Sequence, residues 1–540
     1  MDPSPSSTAC PATPYEGSSQ AQVNVVFRSL EGSSALSFET YHPLLNSNDA
    51  PTDSESSLIR SILVNADKRL QLLDHELSKL EENLQQMKAE RAALLTFRAR
   101  TRTILSPLRR MPTELLREIF SWALPSISDM AKSGRVDTGL SPWVSTYISS
   151  RWRAISLSTP SLWSLFITDY DINDPTPPYY SPSLIETQLQ RARSMKVHFY
   201  PNQTVDPKPQ VEIFQLLARH SDRWEDLSIG LTSLIVPLLP SLRARLPSLR
   251  RLWVQWLRPS SSLSVQSINC FHIAPSLVDF GATDVSLFRP VLFPAHQLTR
   301  YDLNGPWEHH WEILRQIPAL VEARIITGAD EIWPEIDGII NLLHLRRLSI
   351  CAVTALSYLR APLLEELTLF EDEDPVSVFR SFLDRSSCSI KRLCVEDYRA
   401  LPTLQLLNCS SSITELVIVN HREPAEEVQA LMEALTVFNV PRDKVIAPHL
   451  SLVYVGWEGA EDDDSELDYE ALLQMVQSRW KSESCSLEKI GLVIPDGPRP
   501  DSVILDTLNR LREDGLDVML LEGMAASFEI RIWDCEETWN

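Results

Sequence analysis

Residues 345–370 read LRRLSICAVTALSYLRAPLLEELTLF. One form occurs twice in this stretch, as Leu345-Arg-Arg-Leu-Ser-Ile and Leu364-Glu-Glu-Leu-Thr-Leu: apolar-x-x-apolar-x-apolar. Its last three positions alternate, which is the rhythm of a half-buried strand. The same form opens at Trp224, Leu249, Leu277, Leu298 and Leu320, and again at Ile390, Ile413, Leu450 and Leu487. That makes eleven copies in order, at spacings of about 19 to 37 residues. A single copy would mean little, because any amphipathic strand produces it. Eleven with one inner rhythm mark a structural repeat.

Helical patterns fill the intervals. Val376, Phe379, Phe382 and Leu383 share a face, as do Val428, Leu431 and Leu435, and Leu472, Leu473, Val476 and Trp480. Asp501 to Leu516 reads as a helix capped by Asp501 and ended by Gly515. Strand then helix, repeated, places parallel strands on one side and helices on the other, each unit burying its apolar face only against its neighbours. Residues 165–527 therefore read as a solenoid, and the array resembles an irregular leucine-rich repeat that lacks the usual turn asparagine. The fold class is α/β.

Upstream, Leu63, Leu70, Leu77 and Leu84 fall seven apart, and Ala66, Leu73, Leu80, Met87 and Leu94 form a second series offset by three. This is the heptad seam of a coiled coil, with Arg91 intruding at one core position. A coiled-coil helix is expected over 58–105. It pairs with a second copy as a homodimer or folds back on the protein's own core, and spacing alone does not separate the two. Residues 1–55, rich in Ser, Pro and Asn, read as disordered.

Between the coil and the array lies a helical hairpin. Pro112 stands at a first-turn position and Glu114 favours the helix start, and then Leu115, Leu116, Ile119, Phe120 and Ala123 recur at helical spacing. Trp143, Tyr147, Ile148 and Trp152 follow after the insertion Pro125 to Leu140. Three pieces, Met111 to Phe120 (MPTELLREIF), Arg151-Trp-Arg and Ser158-Thr-Pro-Ser-Leu-Trp, make residues 106–164 resemble an F-box, and closely the F-box-like domain abundant in mushroom-forming fungi. Family members often carry Leu where Met111 stands, and a Cys where this chain has Ile148. The resemblance implies a small all-α domain that docks onto the Skp-type adaptor of a cullin-RING ubiquitin ligase. Pro112, Leu115, Leu116, Ile119, Phe120 and Trp152 would be the adaptor-binding residues. It further implies a non-catalytic substrate receptor, with the cullin scaffold as a further partner and an unidentified target protein held by the array. The alternative is a ligase-independent scaffold dimerised by the coil.

Strand geometry marks candidates for target binding. Side chains flanking the second apolar position of each unit point to the open face. They include Arg251, Trp253, Arg300, Asp302, Arg324, Phe370 and Tyr454, a mixture of Arg, acids and aromatics that suits a protein partner. The C-terminal segment 528–540 is an alternative site.

Composition narrows the remaining classes. The chain has 540 residues and 44% hydrophobic content, enough for a large core. Its net charge of −22 argues against generic binding to nucleic acid or anionic membrane. No apolar run is long enough for a membrane span. The N-terminus lacks the signature of a signal peptide, so a cytoplasmic or nuclear location is expected. The eight cysteines show no paired CxxC spacing, and reduced thiols are expected. Fifteen glycines leave no phosphate loop, and GxSxG and HExxH are absent. The adjacent His309 and His310 point different ways on a helix and make poor co-ligands. The acidic run Glu461 to Asp464 reads as a solvated loop. No enzyme activity, metal or cofactor is expected.

Overall fold

The computed structural model describes residues 44, 47–126, 135–170, 179–256, 267–283, 291–328, 331, 333, 338–370, 375–397, 399–421, 425–437, 445–457, 467–495 and 499–533. The expectations for residues 1–43, for the acidic run Glu461 to Asp464 and for residues 534–540 lie outside these. The chain divides into two compact units, residues 1–112 and 113–540. No helix among the described residues is long and apolar enough to cross a membrane.

The first unit is dominated by a single helix, α1 (Asp53–Ile104), 52 residues long. At 1.5 Å per residue it extends about 78 Å. Its start is set by a capping box: the Glu55 amide donates to Thr52 Oγ1 at 3.4 Å, and the Thr52 amide donates to Glu55 Oε2 at 2.7 Å. Thr52 Oγ1 also donates to Glu55 Oε2 at 2.7 Å, and this bond together with that from the Thr52 amide holds the Glu55 carboxyl below its ordinary pKa. The helix runs longer than the seam requires. It begins within the stretch expected to be disordered and continues through Arg98, Arg100 and Arg102. It buries none of its side chains.

Among the described residues the second unit opens with four short helical pieces: α2 (Thr113–Trp122), α3 (Ser145–Ile148), α4 (Ser150–Leu157) and a 3-10 turn, Pro160–Trp163. Ser149, extended at φ −158°, caps α4 by accepting from the Trp152 amide at 3.1 Å. Phe120 of α2 meets Trp152 of α4 with ring centroids 4.8 Å apart. Trp163 is fully buried, donates its indole N–H to the Ser156 carbonyl at 2.9 Å and meets Trp143 edge-on at 5.0 Å.

From Trp163 the chain enters the sheet. The strands are β1 (Leu165–Asp169), β2 (Met195–Tyr200), β3 (Trp224–Leu231), β4 (Arg251–Trp256), β5 (Asp279–Thr283), β6 (Arg300–Asn304) and β7 (Glu322–Ile326). There follow β8 (Ile340–Asn341), β9 (Arg347–Ile350), β10 (Leu359–Arg360), β11 (Glu366–Phe370), β12 (Arg392–Glu396), β13 (Glu415–Asn420), β14 (Leu452–Trp457), β15 (Lys489–Ile494) and β16 (Asp517–Glu522). Fourteen of them form one parallel sheet in chain order, while β8 and β10 pair separately. The sheet ends at β1 and β16 and does not close into a barrel. Among the described residues seven helices lie between the strands: α5 (Pro182–Arg191), α6 (Pro207–Ala218), α7 (Trp307–Leu314), α8 (Pro375–Ser386), α9 (Ala400–Cys409), α10 (Ala425–Leu435) and α11 (Tyr469–Trp480). Two more, α12 (Ser502–Glu513) and α13 (Met524–Trp533), flank β16. This is a mixed α/β, leucine-rich-repeat-like solenoid preceded by a long helix.

All eleven repeat copies coincide with strands, and the first apolar residue of every copy is buried. Each such Leu, Ile or Trp stabilises the stack by roughly 1.5–3 kcal/mol relative to exposure. Three strands of the large sheet were not expected, nor was the short pair β8 and β10. In β2 a register shift at Met195/Lys196 leaves one residue, instead of two, between the anchor and the next apolar position. In β1 Thr168 holds the position of the last apolar residue, and before β16 Gly515 holds that of the first.

The missing turn asparagine has substitutes. Long polar side chains reach back to carbonyls that the stack leaves open. Gln188 donates to the carbonyls of Trp163 and Leu165, and Gln297 to those of Ala274 and Leu277. Arg385 donates to the carbonyls of Leu359 and Leu356. Arg479, fully buried, donates to the carbonyls of Leu435, Ala447 and Ile446 at 2.7, 3.0 and 2.6 Å. Because the substitutes differ from turn to turn, so do the turns, and several intervals hold 3-10 segments instead of helices. The helix read over Asp501 to Leu516 is α12, with Asp501 accepting from the Ile504 amide at 2.8 Å and Gly515 at φ +103°.

His310 serves this core. It is fully buried, its Nδ1 lies 3.0 Å from the Tyr301 hydroxyl, and its Nε2 lies 3.1 Å from the carbonyls of both Gly305 and Ile326. Two acceptors at Nε2 place the proton there, so Nδ1 accepts from Tyr301. Burial pushes the imidazole pKa down from 6.5 to about 4. The unfolded chain therefore takes up a proton as pH falls through 6.5, while the folded chain resists until about 4. Stability is lost across that window. The wild-type advantage over His310→Gln should shrink by about 2 kcal/mol between pH 7 and pH 5. Urea unfolding of both proteins at the two pH values checks this. An advantage independent of pH would mean that folding leaves the His310 pKa unshifted.

Candidate interaction surfaces

Helix α2 divides its apolar residues between two faces. Leu116 and Phe120 are buried. Leu115, Ile119 and Trp122, at i, i+4 and i+7, are 53%, 41% and 83% exposed. Tyr147 and Ile148 on α3 and Leu157 on α4 are exposed as well. Among the sequence-derived adaptor candidates, Pro112, Leu115 and Ile119 are thus accessible. Leu116 and Phe120 face inward and Trp152 is half-buried against Phe120, so these three position the exposed side chains and are not themselves open to a partner. Trp122 and Tyr147 were absent from the candidates. The i+7 spacing from Leu115 to Trp122 was the available signal.

The second surface is the inner face of the sheet. The first inward position on ten successive strands is occupied by Lys196, Asp226, Arg251, Asp279, Arg300, Glu322, Arg347, Glu366, Arg392 and Glu415, and the sign of charge alternates at every step. Lys196 lies 3.7 Å from Asp226, and Arg251 forms a two-pronged pair with Asp226. Arg300 lies 4.0 Å from Asp279 and 3.3 Å from Glu322. Arg347 bridges Glu322 and Glu366 at 3.5 and 3.0 Å, and Arg392 bridges Glu366 and Glu415 at 3.7 and 2.6 Å. The hydrogen bonds that Arg251 donates to the Asp226 carboxylate raise the Arg251 pKa. Burial pushes Asp279 up to about 6 against the pull of Arg300 and Arg251.

This changes the reading of the target-binding candidates. Arg251, Arg300, Asp302 and Arg324 do share one face, but each is engaged by a neighbouring strand; Arg324 lies 3.7 Å from Asp302. Their charges are largely neutralised in place. Trp253 lies across Gly281, where a Cβ would come within 2.3 Å of the indole, so the glycine makes room for the ring. Tyr454 lies across Gly491 in the same way. Phe370, at the end of β11, is half-buried.

Tyr454 is also covered from above. Helix α13 returns over the inner face, and Trp533 sits 5.1 Å from the Tyr454 ring. Ala526, Ile530 and Trp533 form a buried cluster with Cys394, Val417, Val419, Tyr454 and Val493. Thr368 Oγ1 donates to the Trp533 carbonyl at 3.2 Å, and Arg347 donates to that of Ile532 at 3.3 Å. The expectation that Tyr454 lines an open face is therefore corrected. Beyond the first inward position, Cys394, Val417, Val419, Tyr454 and Val493 make the inner face apolar from β12 to β15, and such a face needs a cover. Lys196 and Arg251, nearer the other end, keep partly exposed side chains.

Among the described residues no group of three or more His, Cys, Asp or Glu is placed to hold a metal ion. The six cysteines among them, at 270, 351, 388, 394, 409 and 485, are not in disulfides, and burial pushes Cys270 up to about 12.

No family model matches this chain, and no curated protein matches it. Among solved structures it is similar to the one titled "Crystal structure of TLR13-ssRNA13 complex", with 13% identity and a TM-score of 0.26. The match covers 52% of this chain and 40% of that one. A likeness of this size carries no weight beside the parallel sheet itself.

Removing α13 by truncation after Glu522 should uncover Val417, Val419, Tyr454 and Val493 together. The expected outcome is increased binding of a hydrophobic dye and a lower thermal midpoint. An unchanged midpoint and no dye binding would mean that α13 contributes nothing to the inner face.

Proposed function

We propose that the chain is a substrate-receptor subunit of an SCF-type cullin-RING ubiquitin ligase. In this reading the α2–α4 segment holds the Skp-type adaptor, and through it the cullin scaffold, while the solenoid holds a target protein. The work is done by proximity, with an associated enzyme transferring ubiquitin and no catalytic group in this chain. The observation that carries the reading is the split face of α2. Leu116 and Phe120 anchor the helix inward, so Leu115, Ile119 and Trp122 are presented as one exposed apolar strip on the segment that resembles an F-box. An exposed cluster of this kind suits a partner surface. The target would approach the part of the inner face around Trp253, Lys196 and Arg251, away from α13. Such a receptor would act in the cytoplasm or nucleus.

The second reading, a ligase-independent scaffold, is favoured by one observation: α1 leaves a long apolar seam exposed and available to a partner.

Replacing Leu115 and Ile119 together by Asp should abolish capture of a recombinant Skp-type adaptor without unfolding the chain, because both side chains are exposed. Leu116→Ala, by contrast, should cost about 2–5 kcal/mol of stability. A wild-type protein that binds no adaptor or cullin removes the ligase reading and leaves the scaffold.

A further inference from the structure

We propose that α1 is the interface of a homodimer in which two copies pair antiparallel, Leu77 of one against Leu80 of the other. The inference is independent of adaptor binding. Leu63, Leu70, Leu77, Leu80, Leu84, Met87 and Leu94 are all exposed on a helix that buries nothing of its own. A seam sustained over four to five heptads is of coiled-coil length.

Charge decides the occupant and its direction. In a parallel dimer, like positions face each other. Arg91 would meet Arg91, and the flanking pairs would be Arg69 with Asp74, which attract, and Glu76 with Glu81, which repel. In the antiparallel register the core layers are Leu63 with Leu94, Leu70 with Met87, Leu77 with Leu80, and Arg91 with Ala66. Arg91 then faces a small residue, and its stem has room to carry the guanidinium to water. The flanks pair Asp67 with Lys88 and Arg69 with Glu90, both attractive. Ile62 meets Phe97, and the one repulsion is Asp74 with Glu81. Every layer and flank occurs twice by symmetry. Sliding the antiparallel pair by one heptad either way loses both attractive flanks and sets Glu76 against Glu90 or against itself. The charges thus select one direction and one register.

The two-fold axis falls between residues 78 and 79. At 1.5 Å per residue, the two copies of Ile104 lie about 75 Å apart, and the chains leave the coil at opposite ends.

The test is sedimentation of the full chain at tens of micromolar. The wild type should be a dimer, and Leu77→Asp with Leu80→Asp should be a monomer. Asp67→Lys should weaken the dimer roughly ten-fold, because two attractions become two repulsions. Adding Lys88→Asp to that variant should restore the wild-type constant. A monomeric wild type overturns the proposal, as does a dimer that survives the Leu77/Leu80 change. So does a double charge swap that fails to restore binding, since in a parallel pair residues 67 and 88 never meet.

Discussion

The second unit depends on one constraint: each short strand has an apolar side that it cannot bury alone. A strand of five or six residues with a single buried anchor is not stable by itself, and only the next strand in the chain is close enough to complete it. Parallel stacking in chain order follows directly. The helices and 3-10 turns fill the remaining outer layer with whatever length each interval supplies. The donors Gln188 and Arg479, both buried, and Gln297 and Arg385, both half-buried, satisfy the carbonyls that this irregular filling leaves open.

Much of the fold was legible because one short pattern carried it. Three apolar residues at fixed offsets marked eleven strands, and the three of the large sheet that escaped did so for local reasons: a bulge at Met195, a threonine at Thr168 and a glycine at Gly515. The inward residues were equally legible as residues sharing a face, since alternation alone decides that. Their consequences were not. Whether Arg300 is available to a partner depends on Asp279 and Glu322, which come from segments about twenty residues away on either side. Pattern reading treats each unit separately and does not see a side chain neutralised by its neighbours. Nor could it foresee that Trp533 would come to rest on Tyr454, a contact set by the return path of the last helix.

The surfaces left over are of different kinds. The inner face is polar and self-paired toward its first strands and apolar and covered toward its last. The α2 strip and the α1 seam are apolar and open. A chain built this way places its strongest unmet demand for partners in its first third, and the solenoid, largely self-satisfied, offers a more discriminating surface.

The alternating charges impose parity on the array. Loss or gain of one strand unit between β2 and β13 would bring two like charges side by side at the junction, while every strand beyond it would keep its own neighbour. Loss or gain of two units preserves the alternation. Repeat number in this part of the molecule is therefore free to change in pairs and resists change by one, so the two-strand unit, and not the single repeat, is the step by which such an array can lengthen or shorten.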